Sequence, residues 1–566
     1  MTAAAHNVWV GRALVEELGR LGVPLVCLAP GGRCAPLSMA LGAHKGDLPW
    51  TTFIDERAAA FHALGVARAT GRPAVVITTS GTAIGNLVPA AMEADRAGVP
   101  LLFLTADRPA ELRQTGANQT VAQAEVLAPL VRYRADLPCS DPGMAFSALL
   151  STLDHAVEQA GHRQNPGPVH LNLQFREPLG PSTAPVPDAL SAWWNDPDRT
   201  PWRPVAEPSA GLPPGFAARV QAWQQTRRGL VIVGSLPTGT RADVGDFVRA
   251  LGWPAHCTVD ASIPGGGLRG LDSVLADDAL AERLAPDTVL WIGGGIVSKR
   301  IMLWLKRLAE RAHVVSITQR AARIDPSFRV RERHIVDFAS LSTLPGKGLG
   351  GSDDWARDWA CLHEAGAQVV AAGADGWSEL SAAGAVVAAS KALFLGASLP
   401  VRLVDWIGTG GHSVHIASNR GASGIDGVMA TATGWARHVS GPRKVLLGDL
   451  TCLHDQGSLP LLREVGMQAV VFNNCGGSIF GMLPFGEVPG FDRVFRNAHS
   501  RSLLPLAQAS GLRSVSVGTH PELAAALRDP ALDFVEARFE HGQTIDALAA
   551  LHSGTRTALQ RAWSQP

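Results

Sequence analysis

The chain has 566 residues, 46% of them hydrophobic, and its 50 basic side chains balance its 50 acidic ones. That length suits three to four domains of about 150 residues, each with its own core, and the balanced charge argues against a nucleic-acid or anionic-membrane surface as the main feature. Seven cysteines, at 27, 34, 139, 257, 361, 452 and 475, are odd in number and contain no CxxC pair, which argues against a disulfide framework or a zinc site and leaves small-molecule chemistry in a reducing cytoplasm.

In chain order, residues 1–23 read as an amphipathic helix carrying charges rather than as an apolar leader, and no later apolar run reaches the length of about 18 residues that spans a membrane. Short apolar runs ending in glycine or small residues then recur: GVPLVCLAPGG, AVVITTSGTA, LLFLTADR, GLVIVGS, TVLWIGGG, VLLGD and AVVFNN. Each is followed by a helical pattern. Runs that are continuous rather than alternating belong to strands covered on both faces, so the expected fold class is α/β, with parallel sheets between helices.

Residues 178–214 hold ten prolines, and LPGKGLGGSDD at 344–354 is glycine-rich, so both read as boundaries. The expected domains are 1–180, 205–345 and 375–566, joined by a Pro-rich linker at 181–204 and a second linker at 346–374. Residues 73–108 and 443–477 share one order of features: strand, small-residue turn, helix, strand, polar turn. The first and third domains are therefore expected to be two copies of one fold.

Ligands of open α/β sheets sit at the carboxyl ends of the strands, where the turns TSGT, TADR, GD and NNCGG fall. Gly448-Asp449 ends one apolar run and Asn473-Asn474-Cys475-Gly476-Gly477 ends the next, with one helix expected between them. A carboxylate, an amide oxygen and a backbone carbonyl make half an oxygen shell for Mg²⁺, which completes its octahedron with phosphate and water. Glycines in the turn let backbone amides approach that phosphate. FIDERAAAFHALG, from Phe53, opens an alanine-rich helix on Asp55-Glu56. A carboxylate there has an ordinary role, because the first turn of a helix has free amides and a positive dipole end.

The pairing of GD with NN resembles the signature of thiamine diphosphate enzymes. The resemblance implies that Asp449, Asn474 and the main chain of Gly476 hold Mg²⁺ or Mn²⁺, and that Gly448, Leu450, Thr451 and Gly477 flank the diphosphate. It gives Glu56 the task of bonding the pyrimidine nitrogen N1′, which drives the tautomer that activates the cofactor. It places Ser80, Gly81 and Gly424 against the cofactor, Ile425 of NRGASGIDG under its bent middle, and Ile479, Phe480 and Leu483 along an apolar wall. The interval from Asp449 to Asn474 is 25 residues, about two shorter than the family pattern. These enzymes close each site between the pyrimidine domain of one subunit and the diphosphate domain of another, so a homodimer or homotetramer is implied.

Within that family the chain is similar along its whole length to the transferases of menaquinone biosynthesis that join 2-oxoglutarate to isochorismate. APGGRCAPLSMAL, TADRPAELRQTGANQT, GGGIVSKRIMLWL, SNRGASGIDG and NNCGGSIFGMLP carry the similarity. The implied reaction decarboxylates 2-oxoglutarate and adds the resulting carbanion to the isochorismate ring in a 1,4 fashion. Both substrates are dicarboxylates, and guanidinium forks bind carboxylates bidentately. The resemblance implies that Arg33, Ser398, Arg402 and Arg420 face the 2-oxoglutarate-derived part, while Arg108, Gln119, Lys299 and Arg300 face isochorismate. Gly32 stands where the family has Ser, and Ala397 where it has Asn. Two alternatives stay open at this point. One is another thiamine diphosphate-dependent 2-oxo-acid decarboxylase or carboligase, which needs the metal turn and Glu56 but not the isochorismate set. The other is a non-catalytic relative that binds a metabolite.

Overall fold

The computed structural model describes residues 2–564 apart from 140–143, 205–210, 224, 262, 264–267, 309, 345–351, 374–375, 410–411, 485 and 487. The boundaries expected at 205, 345–346 and 374–375 lie outside the described residues.

Apolar runs form parallel strands throughout. The first sheet contains β1 (Val26–Ala29), β2 (Trp50–Thr52), β3 (Ala74–Thr78), β4 (Leu101–Asp107), β5 (Arg134–Leu137) and β6 (Pro168–Gln174), in the order β2-β1-β3-β4-β6-β5. Its pairs are all parallel, with Cys27 opposite Val76 and Phe103 opposite His170. The second sheet contains β7 (Gly229–Val233), β8 (Ala255–Cys257), β9 (Thr288–Ile292), β10 (His313–Thr318) and β11 (Glu332–Ile335), in the order β11-β10-β9-β7-β8. The third contains β12 (Ala392–Leu395), β13 (His415–Ser418), β14 (Arg443–Gly448), β15 (Gln468–Asn473), β16 (Ser514–Val517) and β17 (Phe534–Arg538), in the order β13-β12-β14-β15-β17-β16. Step for step this is the order of the first sheet. Every residue of β3, β4, β6 and β15 is buried, as strands with helices on both faces require.

The chain forms two compact units, Met1–Pro208 with Asn419–Val439, and Ser209–Ser418 with Ser440–Pro566. The first sheet lies in the first unit and the other two lie in the second. Residues 419–439, which the sequence pattern groups with the third domain, pack in the first unit instead. Their helix, Val428–Ala436, meets the helix Glu56–Thr70 at very short range. A Cβ on Gly65 would stand 2.0 Å from the Thr431 carbonyl oxygen, and one on Gly434 would stand 1.9 Å from that of His62. Two glycines thus let the backbones touch. The buried His62 ring fills its polar valences there, with Thr433 Oγ1 3.0 Å from Nδ1 and Arg437 Nε donating to Nε2 at 3.0 Å.

One local expectation is corrected. Two short helices, Asp449–His454 and Leu459–Glu464, with a 3₁₀ turn at Gln456–Ser458, stand where a single helix was expected between the GD and NN turns. Pro460 sits in the first turn of the second helix, where its missing amide is harmless, whereas inside one continuous helix it would break the ladder. Among the described residues no helix is long and apolar enough to cross a membrane.

Candidate active site

In the first unit the strand ends gather several expected residues. Asp55, and not Glu56, caps the helix: its carboxylate accepts from the amides of Arg57 at 2.8 Å and Ala58 at 3.4 Å. Glu56 is left with a single hydrogen-bond partner among the described residues, Asn86 Nδ2 at 2.9 Å, and is half-buried. The ordinary role of a carboxylate at this helix start is therefore already taken by its neighbour. Ile54 beside it is fully exposed, and Trp50 on the edge strand β2 is exposed to 43%.

Ser80 and Gly81 follow β3, and Arg108 follows β4. Arg108 Nη1 donates to Ser80 Oγ, while Gln119 Nε2 donates to the Ser80 carbonyl at 2.8 Å. Gly81 has φ +85°, and a Cβ there would stand 2.6 Å from Gln119 Cγ, so glycine is needed for this approach. Its amide donates to the buried Gln123 side chain at 3.2 Å. Arg33 is buried, with Nη1 donating to the Phe175 carbonyl at 2.8 Å and Nη2 to Glu177 at 3.0 Å. Its Nε is buried and has no partner among the described residues. Burial and the nearby Arg33 charge hold Arg108 below its ordinary value. The Asp107 and Glu177 carboxylates offset that charge in part. No Cβ neighbour lies within 4 Å of Gly32, so the position of the family's Ser is open space.

The loop of Ile425 is held by a residue that sequence reasoning missed. The Glu93 carboxylate accepts from the amides of Gly421 at 2.8 Å, Ala422 at 2.6 Å and Ser423 at 3.1 Å, and from Arg68 at 3.2 Å. A readable signal existed, because Glu93 stands among the small apolar Ala90, Ala91 and Ala94 that pack its helix. Arg420, Gly424 and Ile425 sit half-buried on this clamped loop.

In the second unit Asp449 follows β14 and Asn474 follows the adjacent β15. Asp449 is 2% exposed; Oδ1 accepts from Leu450 N at 2.6 Å and Oδ2 from Gly476 N at 2.8 Å, with His499 Nε2 3.3 Å away. Burial raises its carboxyl against these donors, which lower it. The two asparagines differ sharply. Asn473 is fully used, donating to Glu536 at 2.6 Å and Arg501 O at 3.0 Å and accepting from Cys475 N at 3.1 Å. Asn474 donates to Glu379 at 2.9 Å, and its Oδ1 is buried without a partner among the described residues.

Gly476 has φ +133°, and a Cβ would stand 2.7 Å from the Arg496 carbonyl oxygen. Its own carbonyl accepts from Ser478 N at 2.9 Å, which leaves a second lone pair. The backbone after Gly477 is a short 3₁₀ turn, Ser478–Met482, bearing the half-buried Ile479 and Phe480, with Leu483 exposed just beyond it. Among the described residues no three Cys, His, Asp or Glu side chains gather as metal ligands, so a soft-metal cage is not what they offer. One carboxylate, one orphaned amide oxygen and one carbonyl suit a hard divalent cation that keeps phosphate and water ligands, and they fit Mg²⁺.

Ser398 caps the helix Leu399–Ile407 at φ +68° and ψ −125°, and its carbonyl accepts from Arg402 Nη1 at 2.6 Å. Lys299 and Arg300 open the helix Lys299–Leu308; Lys299 is exposed, and Arg300 Nη1 donates to Asp272 at 2.8 Å with His552 Nε2 3.0 Å away. Glu379 and Thr544 were also invisible to sequence reasoning. Burial, aided by the Asp449 charge, pushes Glu379 up to about 7 against the hydrogen bonds from Thr544 and Asn474.

Residues 8–126 match the N-terminal TPP binding domain of thiamine pyrophosphate enzymes, and residues 186–395 match their middle domain. The chain is 38% identical over 543 residues to the 2-succinyl-5-enolpyruvyl-6-hydroxy-3-cyclohexene-1-carboxylate synthase of Rubrobacter xylanophilus, covering 93% of each chain. Proteins of the same name are similar in Salinibacter ruber, at 38% over 86% of this chain and 85% of the other, and in Aeromonas salmonicida, at 34% over 98% and 99%.

Proposed function

Because the chain belongs to the family of 2-succinyl-5-enolpyruvyl-6-hydroxy-3-cyclohexene-1-carboxylate synthases, thiamine pyrophosphate enzymes, we propose that it makes that product in menaquinone biosynthesis, from 2-oxoglutarate and isochorismate with release of CO₂. The observation that carries the reading is the convergence of Arg108 and Gln119 on Ser80 at the strand ends of the TPP-binding domain, with the buried Arg33 near enough for its charge to act on Arg108. A simple decarboxylase of a monocarboxylic acid has less use for two cations there.

When bound, thiamine pyrophosphate supplies a nucleophilic carbon and an electron sink. Asp449, the free Oδ1 of Asn474 and the Gly476 carbonyl hold Mg²⁺ or Mn²⁺ for its diphosphate, flanked by Gly448, Leu450, Thr451 and Gly477. Glu56, spared from capping by Asp55, holds the proton at N1′. Ser80, Gly81, Gly424, Ile425, Ile479, Phe480 and Leu483 shape the cofactor's surroundings. Arg33, with its unused Nε, takes a carboxylate of the 2-oxoglutarate-derived part together with Ser398, Arg402 and Arg420, while Arg108, Gln119, Lys299 and Arg300 take isochorismate. The domains 1–180, 205–345 and 375–566 serve as pyrimidine, central and diphosphate domains. The exposed Ile54 and Trp50 near Glu56 support burial against a second copy, hence a homodimer or homotetramer with shared sites. Seven free cysteines support a cytoplasmic location.

The test is CO₂ release and adduct formation by the purified protein with Mg²⁺, thiamine diphosphate and 2-oxoglutarate, with and without isochorismate. Adduct formation that needs isochorismate and falls about 10²–10⁴-fold in Glu56→Gln is expected. Turnover of 2-oxoglutarate that ignores isochorismate would assign the chain to another decarboxylase, and cofactor binding without consumption of either substrate would assign it a binding role.

A further inference from the structure

Asn474 carries an amide whose two ends differ only in chemistry, and a cation needs its oxygen end. Nothing in the amide's shape prevents it from turning over. What fixes it is a buried carboxylate from a distant part of the second unit. Glu379, 2% exposed at the start of the helix Glu379–Ala388, accepts from Asn474 Nδ2 at 2.9 Å through Oε1. Its other oxygen accepts from Thr544 Oγ1, at the start of the helix Gln543–Ser564. Turned over, the amide would set its oxygen against Oε1, acceptor against acceptor in a buried place. In the observed orientation Oδ1 is the orphan, buried and without a partner among the described residues. An unpartnered buried oxygen is costly unless something arrives to use it.

We propose that Glu379, held by Thr544, is the positioning residue of the metal site, locking the Asn474 amide with its oxygen free for the divalent cation. This rests on the metal reading given above, and Glu379 itself need not touch the ion. Groups that orient a ligand in this way contribute about 10–100-fold in metal affinity.

The experiment is Mn²⁺ binding in the presence of thiamine diphosphate, followed by the electron paramagnetic resonance of free Mn²⁺, with circular dichroism and metal-free melting to verify the fold. E379L should bind Mn²⁺ about 10–100-fold more weakly than the unaltered protein. E379Q should stay within about 3-fold, because glutamine can accept from Asn474 and donate to Thr544. The N474D background supplies the signature of orientation: a carboxylate has an oxygen at either end, so adding E379L to N474D should cost less than about 3-fold. A folded E379L that binds like the unaltered protein overturns the proposal. So does E379Q falling as far as E379L, which would mean the charge and not the hydrogen bond matters, or an undiminished loss in the N474D background. Should E379L not fold, T544V decides, since it frees Glu379 without changing shape; several-fold weaker binding upholds the proposal and none overturns it. Failure of the unaltered protein to bind Mn²⁺ would instead overturn the metal reading, and this inference with it.

Discussion

Asp55 and Glu56 are adjacent carboxylates with separable tasks. Asp55 closes the first turn of its helix through two backbone amides, so Asp55→Ala should cost about 1 kcal/mol of stability in urea melts while leaving thiamine diphosphate affinity within a few-fold. Glu56→Gln should do the reverse, leaving the melt unchanged and removing activity; equal losses of both quantities in either variant would refute the division. Ser398 poses a different residue-scale question. A side chain at φ +68° and ψ −125° is strained by about 1–3 kcal/mol, and such strain persists where a fixed carbonyl or hydroxyl is worth the loss. Ser398→Gly should raise stability by about 1 kcal/mol after the entropy of glycine in the unfolded chain is counted, and should raise the KM for 2-oxoglutarate. A destabilised variant would show that the position is not strained. Residue types and spacing made Asp449 and the asparagine pair legible in the sequence. The partners that separate Asn473 from Asn474 were not, because Glu379, Glu536 and Thr544 lie 63 to 95 residues away from them or farther along other elements, and no local pattern encodes such contacts.

At the scale of elements, the helices Glu56–Thr70 and Val428–Ala436 meet backbone to backbone through Gly65 and Gly434. The second of these helices follows directly on the loop of Ile425, which Glu93 clamps from below through three amides. Any separation of the two helices therefore moves the loop as well. Gly65→Ala puts a methyl group 2.0 Å from the Thr431 carbonyl oxygen, a backbone atom that cannot swing aside, so it should cost about 3 kcal/mol and weaken thiamine diphosphate binding in the same variant. Gly71→Ala is an informative control for glycine as such, since φ is +70° there but no atom stands within 4 Å; it should lose stability at this helix end and leave the cofactor affinity alone. A Gly65→Ala protein with unchanged melting would mean the helices can part freely. The strands were legible because each is a continuous apolar run between small-residue turns. The place of residues 419–439 was not, since a helix of small apolar residues such as Val428–Ala436 packs equally well on any close-fitting neighbour, and only the matching glycine on the other helix selects its partner.

The stability of the whole chain has a pH dependence written into the first unit. Glu17, on the N-terminal helix, and Asp154 are both buried, at 0% and 2% exposure, and they lie close enough for a proton shared between the two carboxyls to raise Glu17. Burial raises both above the ordinary carboxylate range, and for Glu17 the Asp154 charge adds to the rise. The amide of Trp202 donates to Glu17 Oε1 at 2.7 Å and lowers it in part. A raised folded-state value means that the native pair keeps a proton that the unfolded chain gives up. The resulting stabilisation is complete below the ordinary carboxylate value of 4.5 and is lost as the pH climbs toward the raised folded value. The contribution of this pair should accordingly shrink between pH 5 and pH 8, and it is read as the difference between the unaltered protein and Glu17→Gln, because buried histidines such as His62 and His170, held below their ordinary value, move the total the other way. In Glu17→Gln the amide can donate to Asp154 and still accept from Trp202, with no proton to lose, so the variant should match the unaltered protein near pH 5 and exceed it by about 1–2 kcal/mol at pH 8. Identical pH profiles for the two proteins would mean that the pair is ionised in the native state after all, with water or a cation between the carboxylates in place of the shared proton.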